Sequence, residues 1–373
     1  MVRSTTHTPE VRASIDALTS IRFLAALYVL FFHAGAGYLK DRFPSADLIN
    51  NFLYNGHLGV PFFFVLSGFI LAYTYEGKLG TALQWWRFAL ARFARVYPVY
   101  LLALLLLLPT ILHEASWHSL PQFLMLQYWL PRPSLNIFDN QNTPAWSLSV
   151  ELAFYILFPP LMLLLARLGR RGILLIGLAS AAAILAFRLP SLTPRIGPSF
   201  VGLDYVPFML LRVPEFLYGM CLGLVFRNNP ARFSADWFLG LVSLLTVAIL
   251  ASSISVWVSG IATILFGALI IAVASNRSPI VTYVLGHRYF VLAGAASYAL
   301  YILQAPVRYW LETIWAGEHE FLVRVLYQPL LILISIVVFK MFEEPVREWI
   351  RHRGGMSQSQ GAHAVEMLTR QRS

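Results

Sequence analysis

Apolar residues in this chain fall into ten long runs, separated by short stretches that hold most of the charge. The runs lie at roughly 17–38, 57–75, 97–113, 144–166, 172–187, 205–226, 237–254, 256–275, 289–310 and 321–342. About 20 apolar residues in helical form cross the hydrocarbon of a bilayer. A helix also satisfies its own backbone polar groups there, which an open strand cannot do. The pattern therefore predicts an all-α fold: a polytopic transmembrane helix bundle of about ten helices. It divides the chain into a leader at 1–16, a membrane domain at 17–350 and a tail at 351–373. The tail is polar and reads as a disordered cytoplasmic segment. The two halves share no evident repeat, which weighs against the inverted-repeat transporters.

Composition sharpens this picture. The chain is 58% hydrophobic and only 12% charged, against about 25% charged in soluble domains. So little charge cannot cover a wet surface, and the excess apolar area is expected to face lipid. The net charge of +10 does not point to nucleic acid, because the basic residues sit in short clusters between the apolar runs. Their distribution instead sets orientation. With the N-terminus inside, nineteen Lys and Arg fall on inner segments and seven on outer segments or helix ends. The expected location is a bacterial inner membrane, with both termini cytoplasmic. Ala34-Gly35-Ala36 resembles a signal-peptide cleavage site, but Arg22 interrupts the stretch before it, so the segment reads as retained. Trp117, Tyr128 and Trp129 in the outer loop at 114–143 fit an interfacial belt, with stacking on a sugar face as the alternative. The lone Cys221 excludes a disulfide framework, and the histidines show no metal-ligand spacing, so no metal is assigned.

Candidate chemistry lies in polar residues within the apolar runs. An ionisable side chain at the centre of a spanning helix costs about 2.5–3.5 kcal/mol on insertion scales. It therefore needs a partner or a purpose. Arg22 and His33 share the first run, and their spacing leaves only about 20° of rotation between them. Both lie on one helix face, about 16 Å apart along the axis. A guanidinium near the inner mouth suits a phosphate, and an imidazole further out suits proton transfer. The plainer alternative has Arg22 snorkelling to the interface and His33 bonding to a neighbouring helix.

In the fourth run Trp146 precedes Ser147, Glu151 and Tyr155, the last three spaced by four on one face. Glu151 and His33 lie at similar depths from the outer side, so a carboxylate orienting the imidazole is expected; a structural pair of Glu151 with Arg212 is the alternative. Ser67-Gly68 falls mid-way along the second run, where small residues let helices approach. Arg212 and Glu215 stand one turn apart and can neutralise each other. Arg92 and Arg95 are expected in the inner loop before the third helix, placed for donor phosphates or as positive-inside anchors. Glu343 and Arg347 read as a structural pair.

Several segments together resemble the acyltransferase-3 family of integral membrane enzymes. They are Arg22 with His33, Gly59 to Phe69, Arg92 to Pro98, Trp146 to Tyr155, Arg212 to Gly219, Ser297-Tyr298-Ala299-Leu300-Tyr301, and Glu344-Pro345-Val346-Arg347, in the family's order. The resemblance implies His33 as the essential histidine, Arg22 as its partner arginine and Glu151 as the acidic residue of the Trp-Ser-Leu element. It implies an acyl-CoA donor, often acetyl-CoA, from the inner side, and a hydroxyl acceptor on a sugar or surface polysaccharide. Two positions depart from the family pattern. Gln304 stands where a histidine usually follows the Ser-Tyr element, and Pro61 where a small polar or acidic residue is common.

The resulting expectation is O-acyl transfer, with acetyl-CoA as donor substrate and no bound cofactor, to a carbohydrate or glycolipid acceptor. His33 and Glu151 are the catalytic candidates. Arg22, Arg92 and Arg95 are the donor-binding candidates, and Ser67, Trp146, Ser147, Tyr155, Arg212 and Glu215 the substrate-binding ones. The alternatives are a transporter or flippase for a glycolipid or polysaccharide intermediate, with the same groups lining a path, and a membrane sensor or scaffold.

Overall fold

A computed structural model describes residues 9–113, 119–129, 141–187, 209–228, 235–253, 255–276, 278–315 and 320–355. The regular elements among the described residues are all helical. The first eight runs give α1 (Pro9–Ala34), α2 (Gly59–Tyr75), α3 (Ala82–Leu106), α4 (Trp146–Ala166), α5 (Arg170–Ala186), α6 (Val213–Asn228), α7 (Asp236–Ala251) and α8 (Val256–Ser275). The ninth is broken into α9 (Arg288–Ala295), α10 (Ser297–Ile302) and α11 (Gln304–Ile314). The tenth is α12 (Glu320–Val338), followed by a π-helical turn at Phe339–Glu343 and by α13 (Glu344–Arg353). Residues 1–8 of the leader, most of the tail (356–373), Trp117 and residues 205–208 of the sixth run lie outside the described residues, while residues 9–16 of the leader are the start of α1.

Five described stretches have the length and composition to cross a membrane: Asp16–Ala34, Asp47–Tyr75, Ala82–Leu106, Thr143–Ala166 and Trp257–Ser275. The helices also turn leucines outward. Leu175 and Leu178 of α5 and Leu244 of α7 are 65%, 68% and 66% exposed, an outer surface suited to lipid rather than water. The chain is a multi-pass membrane helix bundle.

Hydropathy misplaces the third helix. It was expected at 97–113, with Arg92 and Arg95 in the loop before it, but α3 begins at Ala82 and carries both arginines inside the helix. Thr81 caps it: the Thr81 hydroxyl accepts from the Gln84 amide at 3.3 Å, and Gln84 Oε1 accepts from the Thr81 amide at 3.1 Å. Arginine lowers a hydropathy sum but is a good helix former, so the capping box decides where the helix starts.

Proline explains the second break in the ninth run, between α10 and α11. Pro306 has no amide hydrogen to give the carbonyl four residues earlier. That carbonyl, of Ile302, instead accepts from Asn142 Nδ2 at 3.0 Å. The helix stops at Ile302 and restarts at Gln304, which puts Gln304 at the break.

Glycines allow a close crossing of α2 and α6. A Cβ on Gly68 of α2 would lie 2.1 Å from the Phe216 carbonyl oxygen of α6, and one on Gly219 of α6 would lie 2.0 Å from that of Val65 in α2. Only glycine fits, as the small-residue pattern at Ser67-Gly68 anticipates. This crossing fixes one wall of the cavity described next.

Candidate active site

A cavity of about 100 Å³ opens where α1, α2, α3, α4 and α10 converge. Arg22 projects into it from α1, and Arg92 and Arg95 from α3. Ser67 of α2 and Ser147, Glu151 and Tyr155 of α4 complete much of its polar wall. Ser297, Tyr298 and Tyr301 of α10 add further hydroxyls. The four-residue spacing on α4 explains why three of its polar side chains face one way.

The charges are only partly matched. Glu151 accepts a hydrogen bond from the Tyr155 hydroxyl. Arg92 lies over the rings of Tyr75, Phe88 and Tyr155, with 5.9, 6.0 and 6.0 Å to their centroids. Arg95 is paired with Glu343, which is 1% exposed. The Arg347 guanidinium stands 4.0 Å from the same carboxylate. Glu343 thus belongs to the cavity's support, rather than only to a local pair with Arg347. The π turn that precedes α13 places it there.

Arg22 has electrostatic neighbours in Arg95, Glu151 and Glu343, but its Nε has no hydrogen-bond partner among the described residues. Three guanidinium groups meet one carboxylate in the wall and a second behind it, so the cavity carries net positive charge. An anionic ligand is what such a site favours.

His33 lies elsewhere. It sits in the last turn of α1, about 16 Å along the axis from Arg22, and its side chain is exposed. Its Nδ1 is 2.8 Å from Gln304 Oε1. The expected contact between Glu151 and His33 is not formed. Similar depth on two helices does not make them adjacent, and α10 fills the intervening space. Tyr301 of α10 takes a 2.9 Å hydrogen bond from Ser147, and the chain then continues to Gln304 beside His33. One stretch, 297–304, therefore accompanies α1 from Arg22 to His33.

Arg212 pairs with Glu215 at 2.8 Å and lies over the rings of Phe64 and Trp146, at 5.7 and 5.6 Å. This cluster adjoins the cavity through Phe64, which lines it. Sequence reasoning did not assign Glu343, Tyr298, Tyr301 or Gln304 to the site. Two signals were present: a glutamate pair before Pro345 in an apolar run, and a glutamine two residues before Pro306 in another.

Comparison with known proteins supplies the context. The acyltransferase domain of the acyltransferase-3 family matches residues 15–340. Acyltransferase MdmB of Streptomyces mycarofaciens is 31% identical over 237 residues, 58% of this chain and 59% of that protein. Peptidoglycan O-acetyltransferase OatA of Listeria monocytogenes is 23% identical over 342 residues, 82% of this chain and 51% of that protein. O-acetyltransferase OatA of Staphylococcus aureus is 21% identical over 370 residues, 90% of this chain and 57% of that protein. The chain spans between about half and three-fifths of the length of these relatives. No solved structure matches. With a family match that runs from the start of the first apolar run to the π turn after α12, the chain belongs to the acyltransferase-3 family.

Proposed function

We propose that this protein moves an acetyl group from acetyl-CoA to a sugar hydroxyl of a cell-surface or exported polysaccharide. One observation carries the reading: a positively charged cavity with an unpartnered Arg22 Nε at the middle of α1, and an exposed histidine in its last turn. Arg22 and Arg92 hold the donor's phosphates, and Arg95 contributes charge while anchored to Glu343. The slender pantetheine arm then runs along α1 towards His33. The named activities of the OatA relatives support an O-acetyl transfer.

At His33 the imidazole Nε2 takes the proton of the acceptor hydroxyl as its oxygen bonds to the thioester carbonyl carbon. The carbon–sulfur bond breaks, and the imidazolium returns the proton to the departing sulfur. The products are the acetyl ester and free CoA. Glu151 does not orient the base; it fixes Tyr155 and offsets part of the arginine charge. The bias of Lys and Arg towards the inner segments supports cytoplasmic termini. The donor then enters from the cytoplasm and the acceptor meets His33 on the outer side, in a bacterial inner membrane.

The test is acetyl transfer from radiolabelled acetyl-CoA by the full chain in proteoliposomes. His33→Ala is expected to lower kcat by a factor on the order of 10² to 10⁴, the usual worth of a general base. Undiminished transfer by a properly inserted variant ends this mechanism. Movement of acceptor across the bilayer without labelling would replace it with a flippase.

A further inference from the structure

The imidazole of His33 has one hydrogen-bond partner among the described residues, the side chain of Gln304. That side chain is held rigidly. Gln304 is 2% exposed, it opens α11 at the break imposed by Pro306, and its backbone carbonyl accepts from Tyr327 Oη at 2.9 Å. Tyr327 is itself 5% exposed. The Gln304 amide Nε2 is buried without a partner. A buried orphan donor costs free energy, and an arrangement that tolerates one invites a functional reason.

We infer that Gln304 is the positioning residue for His33: its amide oxygen accepts from Nδ1–H and so leaves the lone pair on Nε2, the nitrogen that faces the acceptor. This rests on His33 acting as the base, as proposed above. A base must be held in the right tautomer to work, and the neighbour of its other nitrogen decides which tautomer it adopts. The same contact survives the whole cycle. When Nε2 gains a proton, Nδ1–H still faces an acceptor oxygen, whereas an amide turned the other way would set N–H against N–H.

A neutral partner also has a physical advantage here. A carboxylate at 304 would add a charge to a site 2% exposed and favour the imidazolium, which cannot act as a base. The charged group that reaches His33 is Arg308. On α11, Arg308 pairs with Glu312 at 2.7 Å, both half-exposed. Tyr327 faces Gln304 from α12. On the other side Phe32 separates His33 from His57, with ring centroids 5.1 and 5.4 Å from its own.

The experiment uses the full chain in proteoliposomes with acetyl-CoA, and compares Gln304→Leu, Gln304→Glu and His33→Ala. Gln304→Leu is expected to lower kcat by about tenfold to a hundredfold, the range for groups that orient a catalytic ligand. The KM for acetyl-CoA stays unchanged, because the donor is held about 16 Å away at Arg22. Gln304→Glu keeps an acceptor for Nδ1–H. It retains substantial activity at alkaline pH, and the acidic limb of its kcat/KM profile moves up by about one pH unit. Should Gln304→Leu keep wild-type kcat while His33→Ala is inactive, the inference fails and the function stands. An unmoved acidic limb in Gln304→Glu also overturns it, because a merely structural residue predicts that result. Activity in His33→Ala removes the function reading itself.

Discussion

Two sites on α1, its middle at Arg22 and its last turn at His33, hold different kinds of polar chemistry. Around Arg22 the groups are charged: Arg92 and Arg95 beside it, Glu151 in the wall and Glu343 behind. At His33 the bonded partner is a neutral amide, and the charge within reach, Arg308, is itself paired with Glu312 at 2.7 Å. Charge that must be matched suits the capture of an anionic donor, since each missing counter-charge adds to affinity for a phosphate. Neutrality suits a base, which loses its lone pair when a nearby carboxylate holds it protonated. A single membrane helix can carry both because 11 residues return to nearly the same face while separating the sites by about 16 Å.

The contrast is broken most sharply through stability. Glu343 is 1% exposed and shared by two arginines. Glu343→Leu strands Arg95 and leaves Arg347 with Glu344 at 3.8 Å, and losing one partner of a buried pair costs about 3–5 kcal/mol. The variant is expected to melt well below the wild type in detergent. Gln304→Leu, by contrast, removes a side chain whose amide nitrogen is already unpartnered, so its melting temperature stays close to wild type. Equal losses in the two variants would show that the two sites do not differ in the way described.

Next in size is the division of kinetic effects. If Arg22 holds the donor as proposed, Arg22→Leu removes a charged contact worth about 1.5–3 kcal/mol. That corresponds to a rise of roughly tenfold to a hundredfold in the KM for acetyl-CoA at pH 7, with kcat changed far less. Titration of initial rates against acetyl-CoA checks this. A kcat that collapses while KM holds would place Arg22 at the chemistry instead.

How much of this was readable beforehand differs between the two sites. The polar face of α1, the serine–glutamate–tyrosine face of α4 and the arginine–glutamate turn at 212–215 follow from helical periodicity, which is local and survives folding. Glu151 was assigned to His33 because depth along a helix can be counted in sequence, whereas lateral adjacency cannot. The true neighbour, Gln304, depends on a helix break, and that break depends on Pro306 together with Asn142, which takes the freed carbonyl from 160 residues away. Arg92 and Arg95 were placed in a loop because hydropathy counts arginine as an interruption. In the structure they are helical and face a polar cavity. Glu343 was linked to Arg347 by spacing, but Arg95, 248 residues earlier in the chain, is its closer partner.

The smallest effect sharpens the comparison furthest. Tyr327→Phe deletes only the hydroxyl that donates to the Gln304 carbonyl, leaving the ring packed in the core beside Leu331 and Leu303. A neutral hydrogen bond of this kind contributes about 0.5–1.5 kcal/mol, so the bundle stays folded and the amide gains a little freedom. If Gln304 works by holding His33 in place, kcat falls by about twofold to tenfold. The KM for acetyl-CoA does not move, because nothing at Arg22 touches Tyr327. A shift in KM without one in kcat would mean that the His33 site takes part in donor capture, and the division of labour along α1 would have to be abandoned.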